Sequence, residues 1–293
     1  MEFHIVDVFA EGRYSGNQLA VFRCRSLLPD EEMQLIAREM NFAESTFILS
    51  EKEREGGYDV RIFTPAQEID FAGHPTLGTA HVLSAKIVRR PLKRITLNLK
   101  VGPIAVDLPA EEGDALWMKQ NAPLFGWTLE ASALAGVLNL PVEAFDERFP
   151  IHEVSTGLPH IIVPLRSLEY LKQARIDREK YFRLIEHAWA KNILVFCPEG
   201  RMPGHDLSVR MFADYLGVPE DPATGSGNGC LAGYVVKHRF LGKASIDLCA
   251  GQGHEIGRPS LLLLRATENG GEISVAVGGR VVEIADGTWR SGS

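Results

Sequence analysis

Little in this chain of 293 residues marks it for a metal, a nucleic acid or a membrane. Its four cysteines, Cys24, Cys197, Cys230 and Cys249, form no CxxC pair and no metal-ligand spacing, so reduced, mostly buried thiols and no bound metal are expected. Acidic residues outnumber basic ones, giving a net charge of −7, which argues against the basic face that a nucleic-acid partner wants. No apolar run approaches the roughly 18–20 residues of a membrane helix, and Leu261–Leu264 meets Arg265 at once. No cationic segment precedes the strand pattern Phe3–Phe9, so a signal peptide is not expected and the cytoplasm is the expected location. A P-loop is missing, and Gly251-Gln252-Gly253-His254-Glu255-Ile256-Gly257 has neither G-x-G-x-x-G spacing nor a helix pattern after it. No cofactor is expected.

What is present is an ordinary globular composition, 45% hydrophobic and 24% charged, long enough for one large core or two ordinary ones. The chain is organised around Asp221-Pro222-Ala223-Thr224-Gly225-Ser226-Gly227-Asn228-Gly229. The strand-like Leu207–Phe212 precedes this stretch, and an apolar helix pattern, Cys230–Val236, follows it. A strand, a glycine-rich turn and a helix start make an anion cradle, because the first helical N–H groups lack intrahelical partners and the dipole favours negative charge. A second copy lies upstream. Arg61-Ile62-Phe63 leads through Asp70-Phe71-Ala72 to Gly73-His74-Pro75-Thr76-Leu77-Gly78 and the apolar run Thr79–Leu83, echoing Arg210-Met211-Phe212 before the second turn. Two half-domains, each with a helix start at a shared cleft, would hold a small carboxylate.

Read in order, Phe3–Phe9 and Leu19–Cys24 are strands, and Asp30 is placed as the cap of a helix with the apolar face Met33, Ile36, Ala37 and Met40. Strands follow at Glu44–Leu49 and Tyr58–Phe63, a hairpin at Ile95–Leu99 and Ile104–Leu108, and a further strand at Ala115–Gln120. Asn121–Gly126 is read as the boundary, after which Thr128 caps a helix through Leu138 and Asp177 caps another. Ile151–Ser155, Ile161–Pro164, Asn192–Cys197 and short strands after Ala244 complete the pattern. The expected fold class is α+β, two pseudo-symmetric halves, each a curled, mostly antiparallel sheet around a central helix. The halves are expected at residues 1–122 and 126–277.

The chemical inventory near the two turns is Glu44, His74, Asp221 and Ser226. Glu44 begins an apolar strand, where partial desolvation suits a carboxyl to general-base work, against the commoner solvated strand-end Glu. His74 at a helix start is either a surface cap or a ring held neutral by the helix dipole. Gly225-Ser226-Gly227 lacks the spacing of a hydrolase nucleophile elbow. Cys230, placed in the first turn of the second helix, is expected to pack as core rather than react.

As a set, Asn41-Phe42-Ala43-Glu44-Ser45-Thr46-Phe47, Asp70-Phe71-Ala72-Gly73-His74-Pro75-Thr76 and Asp221-Pro222-Ala223-Thr224-Gly225-Ser226-Gly227 resemble the signatures of the PhzF-like phenazine-biosynthesis family. Tyr14-Ser15-Gly16-Asn17, Ser155-Thr156-Gly157-Leu158-Pro159-His160 and Gly257-Arg258-Pro259-Ser260 extend the resemblance nearly end to end. It implies a diaminopimelate epimerase-like fold with the site between the halves, residues 278–290 returning to the first half, and a homodimer. The implied activity is cofactor-independent isomerisation of the kind performed on trans-2,3-dihydro-3-hydroxyanthranilate. Glu44 would then shuttle the proton, with His74, Asp221 and Ser226 as partners, and Asn17, Gly73, Gly225 and Gly227 would bind substrate. Gln18, where the family commonly has Pro, and Gly227, where it often has Ala, depart from the pattern. The two-cysteine chemistry of racemases with this fold is disfavoured, because neither turn carries a thiol. The alternatives are a silent small-carboxylate binding or regulatory protein, which the intact Glu44, His74 and Asp221 argue against, and a hydrolase using Ser226.

Overall fold

The computed structural model describes residues 1–24, 28–88, 90–111 and 113–290. In chain order, the elements are β1 (Glu2–Val8), β2 (Asn17–Arg23), α1 (Asp30–Met40), β3 (Glu44–Ile48), β4 (Tyr58–Phe63), β5 (Glu68–Ile69), α2 (Gly73–Val82), β6 (Arg94–Leu99), β7 (Gly102–Asp107) and β8 (Leu116–Gln120). They continue as β9 (Leu124–Leu129), α3 (Ala131–Leu138), β10 (Ile151–Ser155), β11 (Pro159–Pro164), α4 (Leu168–Gln173), α5 (Arg178–His187), β12 (Asn192–Cys197), β13 (Leu207–Ala213) and β14 (Val218–Asp221). The last are α6 (Gly225–Lys237), β15 (Ser245–Gln252), β16 (Ser260–Asn269), β17 (Glu272–Gly279) and β18 (Val281–Thr288). The chain divides into two compact units, Met1–Met118 with the residues from Gly278 onward, and Lys119–Val277.

Strand pairing repeats step for step in the two units. In the first, β1–β2 is antiparallel, β2–β3 parallel, β3–β4 antiparallel, β4–β6 parallel and β6–β7 antiparallel. In the second, β10–β11, β11–β12, β12–β13, β13–β15 and β15–β16 follow the same alternation. The α+β class and the pseudo-symmetry expected from the sequence are therefore present. A central helix sits in each unit, α2 against β1, β2, β3, β6 and β7, and α6 against β10, β11, β15 and β16. Both helices are apolar nearly all round, as suits a helix enclosed by a sheet. Close approach sets their glycines: a Cβ on Gly78 would stand 2.6 Å from Leu19 Cδ2 and 2.9 Å from Val8 Cγ2.

A second apolar layer covers the outer sheet face. In the first unit, Met33, Ile36 and Ala37 of α1 pack with Ala20, Phe22, Phe47 and Phe63, each large side chain contributing roughly 1.5–3 kcal/mol. In the second, α3, α4 and α5 supply Leu134, Leu138, Leu171, Tyr181 and Ile185 to a similar core.

The repeated Arg-x-Phe proves to be one device built twice. Arg61 forks onto Glu68 (Nε–Oε1 2.8 Å, Nη2–Oε2 2.8 Å) with its guanidinium 5.1 Å from the Phe63 ring. Arg210 forks onto Glu220 (2.9 and 2.8 Å) with its guanidinium 4.9 Å from Phe212. The remaining nitrogens differ: Arg61 reaches Asp30 in the first turn of α1, and Arg210 donates to the Leu171 and Ala174 carbonyls at the end of α4. This corrects the expected cap. Asp30 makes no cap hydrogen bond, and Pro29 holds that position. Asp177 does cap α5, accepting from Lys180 N at 3.2 Å.

The boundary region also differs from expectation. Leu124–Leu129 is a strand, so Thr128 caps nothing and α3 starts after Glu130. The cause is Glu153 on β10, a buried carboxylate that accepts from Trp127 N at 3.1 Å and Ala190 N at 2.9 Å and bridges a register shift between β9 and β10.

The Arg210 side chain is 3% exposed and Glu220 10%, against 23% for Arg61. Removing one partner of a buried, hydrogen-bonded pair strands the other charge, typically at about 3–5 kcal/mol. Arg210→Ala is expected to destabilise by an amount in that range and Arg61→Ala by clearly less, measured as a shift of the urea midpoint at constant slope.

Candidate functional site

In the first unit the parallel pair β2–β3 brings two strand starts to one edge, with Leu19 opposite Glu44 and therefore Asn17 and Gln18 just beyond. The first turn of α2 reaches the same edge, so the side chain of His74 lies against that of Glu44. Glu44 Oε2 stands 3.3 Å from His74 Nε2, with the Glu44 side chain 18% exposed and His74 buried. The two best sequence candidates of this unit are thus brought together. Burial pushes the His74 imidazole down to about 3, against a hydrogen bond to the Gln18 backbone that supports the charged ring. The ring is neutral at pH 7. A neutral imidazole has a single N–H, which the bond to the Gln18 backbone takes, leaving the Nε2 lone pair toward Glu44. The surface-cap reading of His74 is excluded by its burial.

At the start of α2 the N–H groups without intrahelical acceptors belong to Gly73 and His74, since Pro75 has none and Thr76 N already reaches Ala72 O at 3.3 Å. At the start of α6 they belong to Gly225, Ser226 and Gly227, because Asn228 N bonds Thr224 O at 3.0 Å. Ser226 and His74 hold the same position, second in their helices. Asn17 is buried at the head of β2.

The second unit presents Asp221 at the end of β14, where its carboxylate accepts from the Thr224 hydroxyl. Fully buried Gln252, at the end of β15, binds the same turn through Asp221 O (2.8 Å), Thr224 Oγ1 (3.0 Å), Thr224 N (3.3 Å) and Asn228 Nδ2 (2.8 Å). Gly253 makes this approach possible: it has φ +76°, and a Cβ there would stand 2.6 Å from the Pro222 carbonyl oxygen. The glycine-rich Gly251–Gly257 is therefore a seat for the Asp221 turn. Sequence reading missed Gln252, for which a lone glutamine between two strand-end glycines is the available signal.

Gly227 turns its α-carbon inward. A Cβ there would meet Leu194 Cδ1 at 2.9 Å and His160 Nε2 at 3.3 Å, so the missing side chain is a matter of core packing. The Gly225 carbonyl accepts from Gln120 Nε2 at 3.0 Å, and Gln120 Oε1 accepts from Thr156 Oγ1 at 2.6 Å. Cys230 falls in the second turn of α6, buried beside Thr156 and the Leu158 carbonyl, and burial pushes its thiol up to about 12. It packs, as expected, and is inert at neutral pH. Among the described residues, no group of three or more His, Cys, Asp or Glu is placed to hold a metal ion, and no helix is long and apolar enough to cross a membrane.

A family model described as "Phenazine biosynthesis-like protein" matches residues 6–287. The chain is 36% identical to trans-2,3-dihydro-3-hydroxyanthranilate isomerase of Pseudomonas fluorescens over 97% of both chains. It is 33% identical to an uncharacterized isomerase of Mesorhizobium japonicum over 97% of this chain and 96% of the other. Its structure is similar to a PhzF-family phenazine biosynthesis protein of Bacillus anthracis, with TM-score 0.86, 26% identity, and 98% and 97% of the two chains covered.

His160 repeats the buried, neutral state of His74: burial pushes it down to about 4, against its hydrogen bond to the Leu158 carbonyl (2.9 Å). A ring whose folded value lies below the unfolded 6.5 contributes stability that is full above pH 6.5 and is lost as pH falls through about 4 for His160 and about 3 for His74. Each ring contributes up to about 1.4 kcal/mol per pH unit within its window. His160→Asn keeps a donor for Leu158 O and is expected to lower the slope of unfolding free energy between pH 6 and pH 4.5 by roughly one proton, read from urea melts across that range.

Proposed function

The chain belongs to the phenazine biosynthesis-like protein family and is one of its isomerases, and from that premise we propose that Glu44 moves a proton between carbons of a small amino or hydroxy acid without a cofactor. The observation that carries the reading is the 3.3 Å pairing of Glu44 with a neutral, buried His74. A bare Nε2 lone pair repels a carboxylate and accepts from a carboxylic acid, so it welcomes the proton once Glu44 has taken it. Glu44 then returns the proton to a second carbon from the same face. The helix-start N–H groups of Gly73 and His74 stabilise negative charge developing on the substrate. Asp221 and Ser226, with the N–H groups of Gly225 and Gly227, bind its amine or carboxylate, and Asn17 completes the binding set.

The internal repeat supports a single base. Position for position, the strand start that carries Glu44 in β3 carries Asn192 in β12, and an amide takes no proton. With Cys230 inert, a two-base epimerisation through thiols has no support. The hydrolase reading is disfavoured because Ser226 lies inside the first turn of a regular helix rather than on a strained strand-to-helix elbow. The substrate class follows the relatives: trans-2,3-dihydro-3-hydroxyanthranilate is the first compound to test. The reading keeps the homodimer that the family resemblance implies and the cytoplasmic location expected from the sequence.

Glu44→Gln keeps the shape of the side chain and removes the base. Turnover is expected to fall by at least about 10²–10⁴-fold with KM little changed, and exchange of substrate C–H for solvent deuterium is expected to vanish. Exchange at the wild-type rate in the Gln variant would show that Glu44 is not the base.

A further inference from the structure

We infer that Thr224 and Gln252 are positioning residues that lock the Asp221 carboxylate in the acceptor state at Oδ2. The inference rests on the proposal that Asp221 handles substrate, and it is carried by the directions of the hydrogen bonds that join Gln252, Thr224 and Asp221 in one buried cluster. Gln252 Nε2 donates to Asp221 O at 2.8 Å and to Thr224 Oγ1 at 3.0 Å, which uses both amide hydrogens. Its Oε1 accepts from Thr224 N at 3.3 Å and Asn228 Nδ2 at 2.8 Å. Rotating the amide by half a turn would set Nε2 against the Thr224 backbone N–H and Oε1 against the Asp221 carbonyl, so its orientation is fixed by these two backbone groups. Thr224 Oγ1 is thereby committed as an acceptor from Gln252. Its single hydrogen is directed to Asp221 Oδ2, the partner that the hydroxyl reaches.

A proton on Oδ2 would bring one O–H against another, so that oxygen is held as an acceptor. A hydroxyl bond to a carboxylate is stronger than one to a neutral acid, and the cluster therefore favours the ionised form. Asp221 held ionised in this way is set to receive an N–H or O–H of the substrate. The charged and titratable groups on the neighbouring elements are already engaged in large part. Arg210 on β13 is held by Glu220, Glu255 after β15 is held by Arg201, and His160 on β11 is neutral; His254 and Arg258 lie in the same turn as Glu255.

The test is the titration of Asp221, followed by the ¹³C shift of labelled Asp carboxyls and assigned by its loss in Asp221→Asn. Thr224→Val removes the donor at nearly constant volume, and Thr224→Ala does so without overpacking. Thr224 makes no side-chain cap bond to α6, so neither change removes a helix cap. Both are expected to raise the Asp221 midpoint by about one pH unit, and Thr224→Ser to restore it to within a few tenths. The acid limb of the turnover profile is expected to move with it. A wild-type midpoint in both the Val and Ala variants overturns the positioning role, whatever their activity. Wild-type turnover in Asp221→Asn overturns the substrate role of Asp221 instead, and leaves the titration result standing.

Discussion

A guanidinium fork, buried in the second unit and half-buried in the first, is the constraint that recurs at the same corner of each unit. A strand, a short return strand and a central helix must meet at one corner, and the corner brings a cationic side chain against an aromatic ring. Arg61 and Arg210 meet this need in the same way, with both fork nitrogens on a glutamate of the return strand and the guanidinium plane on the Phe two residues on. Lysine, with one compact ammonium, has no equivalent two-point grip. Glu68 and Glu220 lie on β5 and β14, the strands that directly precede the helix starts at Gly73 and Gly225, so each fork ties down the approach to its helix.

From that corner the site chemistry follows in each unit by burial. Enclosing α2 in its sheet drives His74 out of solvent, and desolvation then removes its charge. Enclosing α6 does the same to His160 and Cys230, in opposite directions for a base and an acid. Packing of α2 thus leaves a neutral imidazole beside Glu44, and packing of α6 leaves a thiol that stays protonated. The fold chooses which groups remain able to exchange protons at neutral pH before any substrate is present.

Much of this was legible because it is local. Alternation marked β13, short apolar runs marked β3, β4 and β12, Asp177 announced α5, and the two Gly turns announced the starts of α2 and α6. What stayed hidden is set by residues distant in sequence. Asp30 looks like a cap until Arg61, 31 residues away, claims it. Leu124–Leu129 looks like a linker until Glu153 supplies an acceptor to Trp127 and holds the strand in place. Glu44 and His74 were each visible, but the tautomer that makes them a pair depends on the Gln18 backbone, which no motif records.

The repeat is most informative where it breaks. Two units with the same pairing order place corresponding residues alike, and at the Arg-x-Phe fork they carry the same groups. At the helix starts and strand heads they diverge: His74 against Ser226, Glu44 against Asn192, Pro75 against Gly227. Each change runs in one direction. The first unit gains groups that take or receive a proton and loses one N–H donor; the second keeps three helix-start donors and replaces the carboxylate with an amide. Symmetric chemistry, with one base from each half, needs equal proton acceptors on both. In the second unit the Gln252 cluster holds the Asp221 turn rigid, since an amide with all four of its hydrogen-bonding positions filled, two of them by backbone groups of fixed direction, has no alternative orientation to adopt.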